Sequence, residues 1–376
     1  MSVNLLIAAD IVPTKSNQQL FTNGDIIQLI GEALARRFKE ADFIAMNLEV
    51  PLVDKESPIS KCGPCLIAST SSVTGLKAIN PFFYTLANNH IMDQGVAGLK
   101  STMSTLSGAG IAYAGAGLNI DEAKISYVTE VNGVIIGVYC CAEHEFSIAS
   151  KYEAGANPFD PLVSFDEVKT LKEKCDFLIV LYHGGKEQYR YPSPQLQRVF
   201  HKFAESGADL VVAQHTHCVG CMEEYLGATL VYGQGNFLFD YSDNVFWDTS
   251  LIIGVSLDDN KKPIIEYIPL IKDENGVKEA VSDIEIIRDF KERSREIQTE
   301  GTIETKYREY AKQMLYEYLI RISGKKRHSV LFRLLNKISG YKYVYSQYSR
   351  EDLMLIQNVI DCEAHKELFL IGLKER

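Results

Sequence analysis

Short apolar runs alternate with amphipathic stretches over about the first 270 residues of the chain. Strand-like runs rich in Ile, Val, Leu and Tyr, each bounded by turn residues, occupy 4–9, 43–48, 82–87, 111–114, 127–131, 134–140, 177–182, 210–213, 229–233, 250–257 and 263–269. Helical periodicity predicts helices over 25–40, 95–108, 165–173 and 193–206, and Gly108 and Gly207 stand where glycine suits a helix end. Helices inserted between strands imply an α/β fold, a parallel or mixed sheet with helices outside. Val131–Asn132–Gly133 reads as a hairpin turn. The hairpin strands, with 229–233, 250–257 and 263–269, predict a second sheet, hence a two-sheet core covered by helices.

The pattern changes near residue 285, which divides a main domain (1–285) from a helical, basic C-terminal extension (286–376). Segment 286–322 is charged, helical in period and free of proline. Segment 318–350 carries eight basic residues and no acidic one, and Val330, Leu331, Leu334, Leu335 and Ile338 fall on one helical face. A final helix is expected over 351–369. The basic segment has three readings: a helix docked on the acidic main domain, a site for an anionic ligand or polymer, or a contact with an anionic membrane surface.

Composition narrows the class. A length of 376 residues allows two or three domains, and 46% apolar with 23% charged residues is an ordinary globular mixture. A net charge of -10 disfavours broad contact with a nucleic acid backbone, so no nucleic acid partner is expected. No apolar run reaches 18 residues, so no transmembrane helix is expected. The first apolar run lacks a basic leader and is interrupted by Asp10, which reads as a strand and not a signal peptide. A cytoplasmic location is the expectation, with peripheral membrane contact through 318–350 as a variant of it. Of the eight cysteines, Cys62/Cys65 and Cys218/Cys221 have C-x2-C spacing, but neither pair sits in an evident zinc knuckle. The CGPC at 62–65 follows the loop-like VDKESPISK where a redox motif would follow a strand, so free thiols are expected.

The informative polar residues stand at strand ends. Asp10 ends the first strand, and Asn47 and Glu49 end the second. Asn88, Asn89, His90 and Asp93 follow FFYTLA, and His183 ends FLIVLYH, with Lys186, Glu187 and Arg190 soon after. His215 and His217 follow DLVVA, and Asn236 follows TLVYG. In α/β sheets the carboxyl edge is where ligands bind. Singly, His183 reads as a satisfied core histidine, Glu49 as a capping or surface carboxylate, and Asn88–His90 as a turn. Jointly, Asp10, Glu49, Asn89, His183, His215 and His217 supply the oxygen and nitrogen donors that one or two adjacent divalent ions require, including a carboxylate able to bridge. Such donors suit Zn, Mn or Fe(II) without choosing among them.

Five blocks in order then carry a resemblance: NLEVPL (47–52), LANNHIMDQGVAGLKSTMSTLSGAGIAYAGAG (86–117), YHGGKE (182–187), ESGADLVVAQHTH (205–217) and VYGQGNFLFD (231–240). The chain resembles the CapA/PgsA family of capsule and poly-gamma-glutamate synthesis proteins, within the calcineurin-like metallophosphoesterase superfamily, over about residues 3–270. The resemblance implies a metallophosphatase-like two-sheet α/β/β/α sandwich with a C-terminal helical extension. It implies that Asp10 and His217 hold one metal, that Asn89, His183 and His215 hold the other, and that Glu49 bridges, with Asn47 as the alternative. It further implies that His90 assists chemistry at the leaving group, that Asp93 orients His90, and that Glu187 and Asn236 lie behind the ligands or beside the substrate. The superfamily's Asp-x-His opening is Asp10-Ile11-Val12 here, one imidazole fewer. The function implied is metal-dependent hydrolysis of a phosphoester or gamma-glutamyl bond in an anionic small molecule or polymer, Lys186, Arg190 and the tail basics attracting it. The alternative is a non-hydrolytic accessory of capsular polymer synthesis that binds polymer or a partner biosynthetic enzyme.

Overall fold

The computed structural model describes residues 3–240, 243–258, 261–274, 276–280 and 284–361, with 365–366, 369 and 373 beyond. It forms two compact units, Met1–Ile303 and Glu304–Arg376. The break expected near 285 falls later because helix Ile284–Glu296 belongs to the first unit. Its Ile286 and Phe290 are buried with Val219 and Leu251, and Arg293 donates to the carbonyls of Val219 and Gly220 at 3.1 and 2.8 Å.

The first unit is built on two main sheets, beside a two-stranded one of Ala116–Gly117 and Gly155–Ala156. One has the order Gly276–Glu279, Pro263–Asp273, Thr249–Leu257, Val3–Ile11, Phe43–Leu48, Phe83–Thr85, Ala112–Ala114, with Asn236–Leu238 pairing the far end of Val3–Ile11. The other has the order Met222–Tyr225, Ala228–Val231, Leu210–Gln214, Phe177–His183, Val134–Ala142, Tyr127–Val131. The hairpin therefore lies in the second sheet as expected, its turn formed by Asn132 and Gly133 at φ 49° and 82°, the left-handed pair that a type I′ turn requires. The strands 250–257 and 263–269, expected there too, instead extend the first sheet. Thr249–Leu257 runs antiparallel to Val3–Ile11 with Ile7 opposite Ile253, and so covers an edge that would otherwise be open.

The run Phe177–His183 shows how the layers form. Ile179 and Leu181 enter the core between the sheets, while Leu178, Val180 and Tyr182 enter a second core with Val168, Leu196, Phe200 and Phe203. A strand buried on both faces reads as continuously apolar, which this one does. The second core is closed by helices Ser164–Lys172 and Pro194–Glu205, the latter capped by Ser193, whose side chain accepts from Leu196 N–H. On the other side, Leu29, Ile30, Leu34 and Phe38 of helix Ile26–Glu40 pack into the first core, giving α/β/β/α layering. That helix is broken at Gly31 (φ 72°, ψ 162°), a conformation open to glycine, where the apolar period predicted an unbroken turn sequence.

The sheets are tied together beside the strand ends. Antiparallel pairing of Val3–Ile11 stops at Ile7, and parallel pairing with Asn236–Leu238 begins at Asp10. The buried side-chain amides of Gln234 and Gln214 take up the freed carbonyls of Ile7 and Ala8, at 2.8 and 3.1 Å.

Segment 286–322 divides into Ile284–Glu296, which belongs to the first unit, and Thr302–Ile322, most of which belongs to the second, with Gly301 at φ 79° between them. Helix Val330–Ile338 buries Phe332 and Asn336 beside Leu319 and Val344, and leaves Val330, Leu331, Leu334 and Ile338 exposed. The expected helix 351–369 is present as Arg350–Asp361, and most of its remainder lies outside the described residues. No helix among the described residues is long and apolar enough to cross a membrane.

Candidate metal centre

The carboxyl ends of the central strands of both sheets meet at one place. Asp10 sits opposite Asn47 on one side and Asn236 on the other, and His183 sits opposite Gln214, one residue before His215. His215 and His217 both adopt left-handed backbone, φ 89° and 51°. That conformation is costly for a residue with a Cβ and persists where surrounding structure enforces it, a common property of functional sites. It lets two imidazoles two residues apart leave the strand in different directions, the ring centroids 5.8 Å apart.

The donors converge in two overlapping groups. Ligand atoms of Asp10, Glu49 and His183 lie within 4.8 Å of one another, and so do those of Glu49, His215 and His217. All five are buried, and Glu49 belongs to both groups. His183 Nε2 is 3.0 Å from Asn89 Oδ1 and 3.3 Å from Glu49 Oε1. His217 Nδ1 is 2.8 Å from Asn236 Oδ1 and 3.9 Å from Asp10 Oδ2. With Nδ1 protonated toward Asn236, Nε2 of His217 is the nitrogen left to coordinate. Trp247 and Phe239 flank the same ring at centroid distances of 4.5 and 5.6 Å and restrict its rotation.

The residues present fit a divalent cation. Both carboxylate oxygens of Glu49 and Nδ1 of His215 are buried without a hydrogen-bond partner. Polar atoms so placed are costly unless a further group satisfies them. Asp10, by contrast, is oriented by Asn47 Nδ2 on Oδ1 at 2.8 Å and by the His215 N–H on Oδ2 at 3.1 Å.

Electrostatics point the same way. Burial, with the Glu49 charge next, pushes the Asp10 carboxyl up to about 7, and burial pushes Glu49 up to about 7. Burial pulls His183 down to about 4 and His215 well below its ordinary value, so both imidazoles are neutral and ligand-competent at neutral pH. Between about pH 4.5 and 6.5 the folded metal-free protein holds carboxyl protons that the unfolded chain has released, and excludes imidazole protons that the unfolded chain holds. These effects oppose one another. Above about pH 6.5 only the carboxyl effect remains, so stability of the metal-free protein falls as pH rises through 7. A dication requires the ionised carboxylates and offsets that loss. The rise in melting temperature on adding Mn2+ or Zn2+ is therefore greater at pH 8 than at pH 6. Equal shifts at the two values would contradict this account.

The remaining residues singled out in the sequence are placed as follows. Asn47, Asn88 and Asn236 lie within the cluster: Asn88 Nδ2 donates to Asn47 Oδ1 and to the Leu48 carbonyl, and its own Oδ1 accepts from His90 N–H. His90 Nδ1 is 2.6 Å from Asp93 Oδ2. Glu187 is half-exposed at the rim, 3.9 Å from His215 Nε2, and Lys186 is half-buried beside it. Arg190 lies over the Phe246 ring and lines a cavity of about 180 Å³ with Val219, Thr249 and Arg293. Cys218 and Cys221 are buried while Cys62 is exposed, and among the described residues no cysteine joins a metal-capable group.

One acidic neighbour had no sequence signal. Glu145 Oε2 accepts from Asn89 Nδ2 at 3.0 Å and so turns the Asn89 carbonyl oxygen toward His183. It follows strand Val134–Ala142 in a loop whose residues show no periodicity.

Several known proteins are similar to this chain. "Capsule biosynthesis protein CapA" of Bacillus anthracis is 28% identical over 68% of this chain and 64% of its own length. "PGA biosynthesis protein CapA" of Bacillus subtilis (strain 168) is 30% identical over 57% of this chain and 58% of its own. The chain thus spans about three-fifths of the length of these curated relatives. Among solved structures, a hypothetical protein from Thermus thermophilus aligns with 72% of this chain and 100% of that one, at 12% identity and a TM-score of 0.47. The model of the family described as bacterial capsule synthesis protein PGA_cap matches residues 4–241, more than half of the chain and the whole stretch from Asp10 to Asn236, and the chain belongs to that family.

Proposed function

We propose that this protein is a metal-dependent hydrolase of an anionic substrate, a phosphoester or a gamma-glutamyl amide, in capsular or polyglutamate metabolism. The observation that carries the reading is Glu49: a fully buried carboxylate, shared by two triads, with neither oxygen hydrogen-bonded. A carboxylate so placed is what bridging of two cations requires.

In this reading Asp10, Asn89, His183, His215 and His217 would hold the ions, with Glu49 shared between them. The close groups join Asp10 with His183 and His215 with His217, which cuts across the division into Asp10/His217 and Asn89/His183/His215 that the resemblance implies. Bound there, divalent ions supply Lewis-acid polarisation of the scissile group and lower the pKa of an attacking water. The residues of the chain do the rest. Asn47 and the His215 N–H fix both oxygens of Asp10, and Asn236 fixes the His217 ring. Glu145 sets the orientation of Asn89. Trp247 and Phe239 exclude water from one flank of His217. His90, held through Nδ1 by Asp93, keeps Nε2 for proton transfer at the leaving-group oxygen. Lys186 at the rim provides a cation for an anionic substrate.

The exposed tail favours a second reading, an accessory that binds polymer without cleaving it. Segment 318–350 is basic throughout, and Leu331, Leu334 and Ile338 stand exposed on helix Val330–Ile338, which suits an anionic polymer, a membrane surface or a partner enzyme. One experiment separates the two. Protein loaded with Mn2+ or Zn2+ is incubated with 4-nitrophenyl phosphate esters and with poly-gamma-glutamate, and both release of product and polymer length are followed. Hydrolysis of either supports the first reading. Retention of polymer at unchanged length, with no turnover of any ester, supports the second and contradicts the first.

A further inference from the structure

We propose that Lys61 is a positioning residue for His90: its ammonium fixes Asp93, and Asp93 in turn fixes the imidazole so that Nε2 is the nitrogen offered to the leaving group. The inference rests on the hydrolytic reading of the cleft and adds to it a residue from a loop outside every metal-capable strand end.

The Lys61 side chain is 3% exposed and Asp93 is fully buried. A buried ammonium requires an ionised partner, and Asp93 is that partner. Lys61 Nζ donates to Asp93 Oδ1, while Oδ2 accepts from the Leu66 N–H at 2.6 Å and lies 2.6 Å from His90 Nδ1. Lys61 Nζ also lies 3.2 Å from the same ring nitrogen. The two distances decide the tautomer. The carboxylate is the nearer neighbour, so Nδ1 carries hydrogen and donates to Oδ2. Nε2 has no hydrogen-bond partner among the described residues.

The loop that carries Lys61 is pinned at both ends to the two residues that follow the His90 turn. Ser57 N–H donates to Gln94 Oε1 at 2.7 Å and Ile59 N–H to the Asp93 carbonyl at 3.0 Å. At the other end Gln94 Nε2 donates to the Leu66 carbonyl at 3.0 Å. Lys61 therefore points inward from the middle of a closed strap. Burial alone would be satisfied by an apolar side chain there. Without the ammonium, Asp93 Oδ1 loses its partner, the Leu66 N–H on Oδ2 is left alone to hold the carboxylate, and the ring is less firmly confined to one tautomer.

The test uses the full chain with Lys61→Met, Lys61→Gln and Lys61→Arg, each checked first for bound metal. Histidine side-chain 15N spectra of the metal-free proteins, with His90 assigned by its loss in His90→Ala, report the tautomer directly. The wild type shows Nδ1 protonated, the two neutral variants show mixed tautomers, and Lys61→Arg restores the wild-type pattern. Lys61→Gln, which keeps a donor at the site, serves if Lys61→Met does not fold. In the metal-loaded proteins, kcat for an alkyl phosphate falls by about 10–100-fold more than kcat for its 4-nitrophenyl counterpart, because the poorer leaving group depends more on His90. Unchanged tautomers in both neutral variants, or equal losses on the two esters, overturn the proposal. If the wild type cleaves no ester, the hydrolytic reading fails, and the nitrogen spectra still decide what Lys61 does.

Discussion

At pH 8, Glu49→Gln makes the metal-free protein more stable and at the same time abolishes metal-dependent turnover. The Glu49 carboxyl is wholly buried, is pushed up to about 7 by that burial, and has neither oxygen hydrogen-bonded, with His183 Nε2 3.3 Å from Oε1. Holding it ionised at pH 8 costs up to about 3 kcal/mol, at about 1.4 kcal/mol per pH unit between its ordinary value and its folded one. A neutral amide of the same shape removes most of that cost, and a gain of about 1–3 kcal/mol is expected in thermal or urea unfolding. With metal present the order reverses. The wild type gains about 4 kcal/mol when free metal stands at about a thousand times its Kd, and the variant, lacking the shared ligand, gains little. A variant less stable than the wild type in the absence of metal would show that Glu49 has a structural partner, contrary to the geometry.

His90→Ala separates chemistry from metal binding. His90 belongs to neither triad, and its Nδ1 is committed to Asp93. Turnover is expected to fall by about 10²–10⁴-fold, the usual contribution of a positioned acid or base, with bound metal unchanged. Added imidazole, entering the vacated space, restores part of the rate. Full activity in the variant would remove His90 from the mechanism, and loss of metal would instead assign it to the ion-binding set.

Much of this site is legible in the sequence because it is built at strand ends. FLIVLYH is apolar until it reaches His183, and the change of character marks where the strand leaves the core. The same holds for Asp10, Asn47 and His215. Residues that reach the site from loops carry no such mark. Lys61 stands between a proline-containing loop and CGPC, and only the folded strap from Ser57 to Leu66 brings it to Asp93. Glu145 is one of two glutamates in the sequence EHE, and nothing in their spacing tells which one meets Asn89. Sheet membership was also hidden. Strands 250–257 and 263–269 are apolar enough for either sheet, and the choice depends on which strand offers a free edge, a property of the assembled fold. The apolar stripe of 330–338 shows the limit of periodicity: it predicts a face but not whether protein covers it, and here Phe332 and Asn336 are buried while Leu331, Leu334 and Ile338 face outward.

The central claim is that Asp10, Glu49, Asn89, His183, His215 and His217 together hold divalent ions. Elemental analysis tests it most directly. Protein is incubated with Mn2+ or Zn2+ at pH 8, passed through a desalting column and assayed for metal beside Glu49→Gln prepared identically. About one to two ions per chain are expected in the wild type and a small fraction of that in the variant. A wild type that retains no ion, or a variant that retains as much as the wild type, would contradict the account.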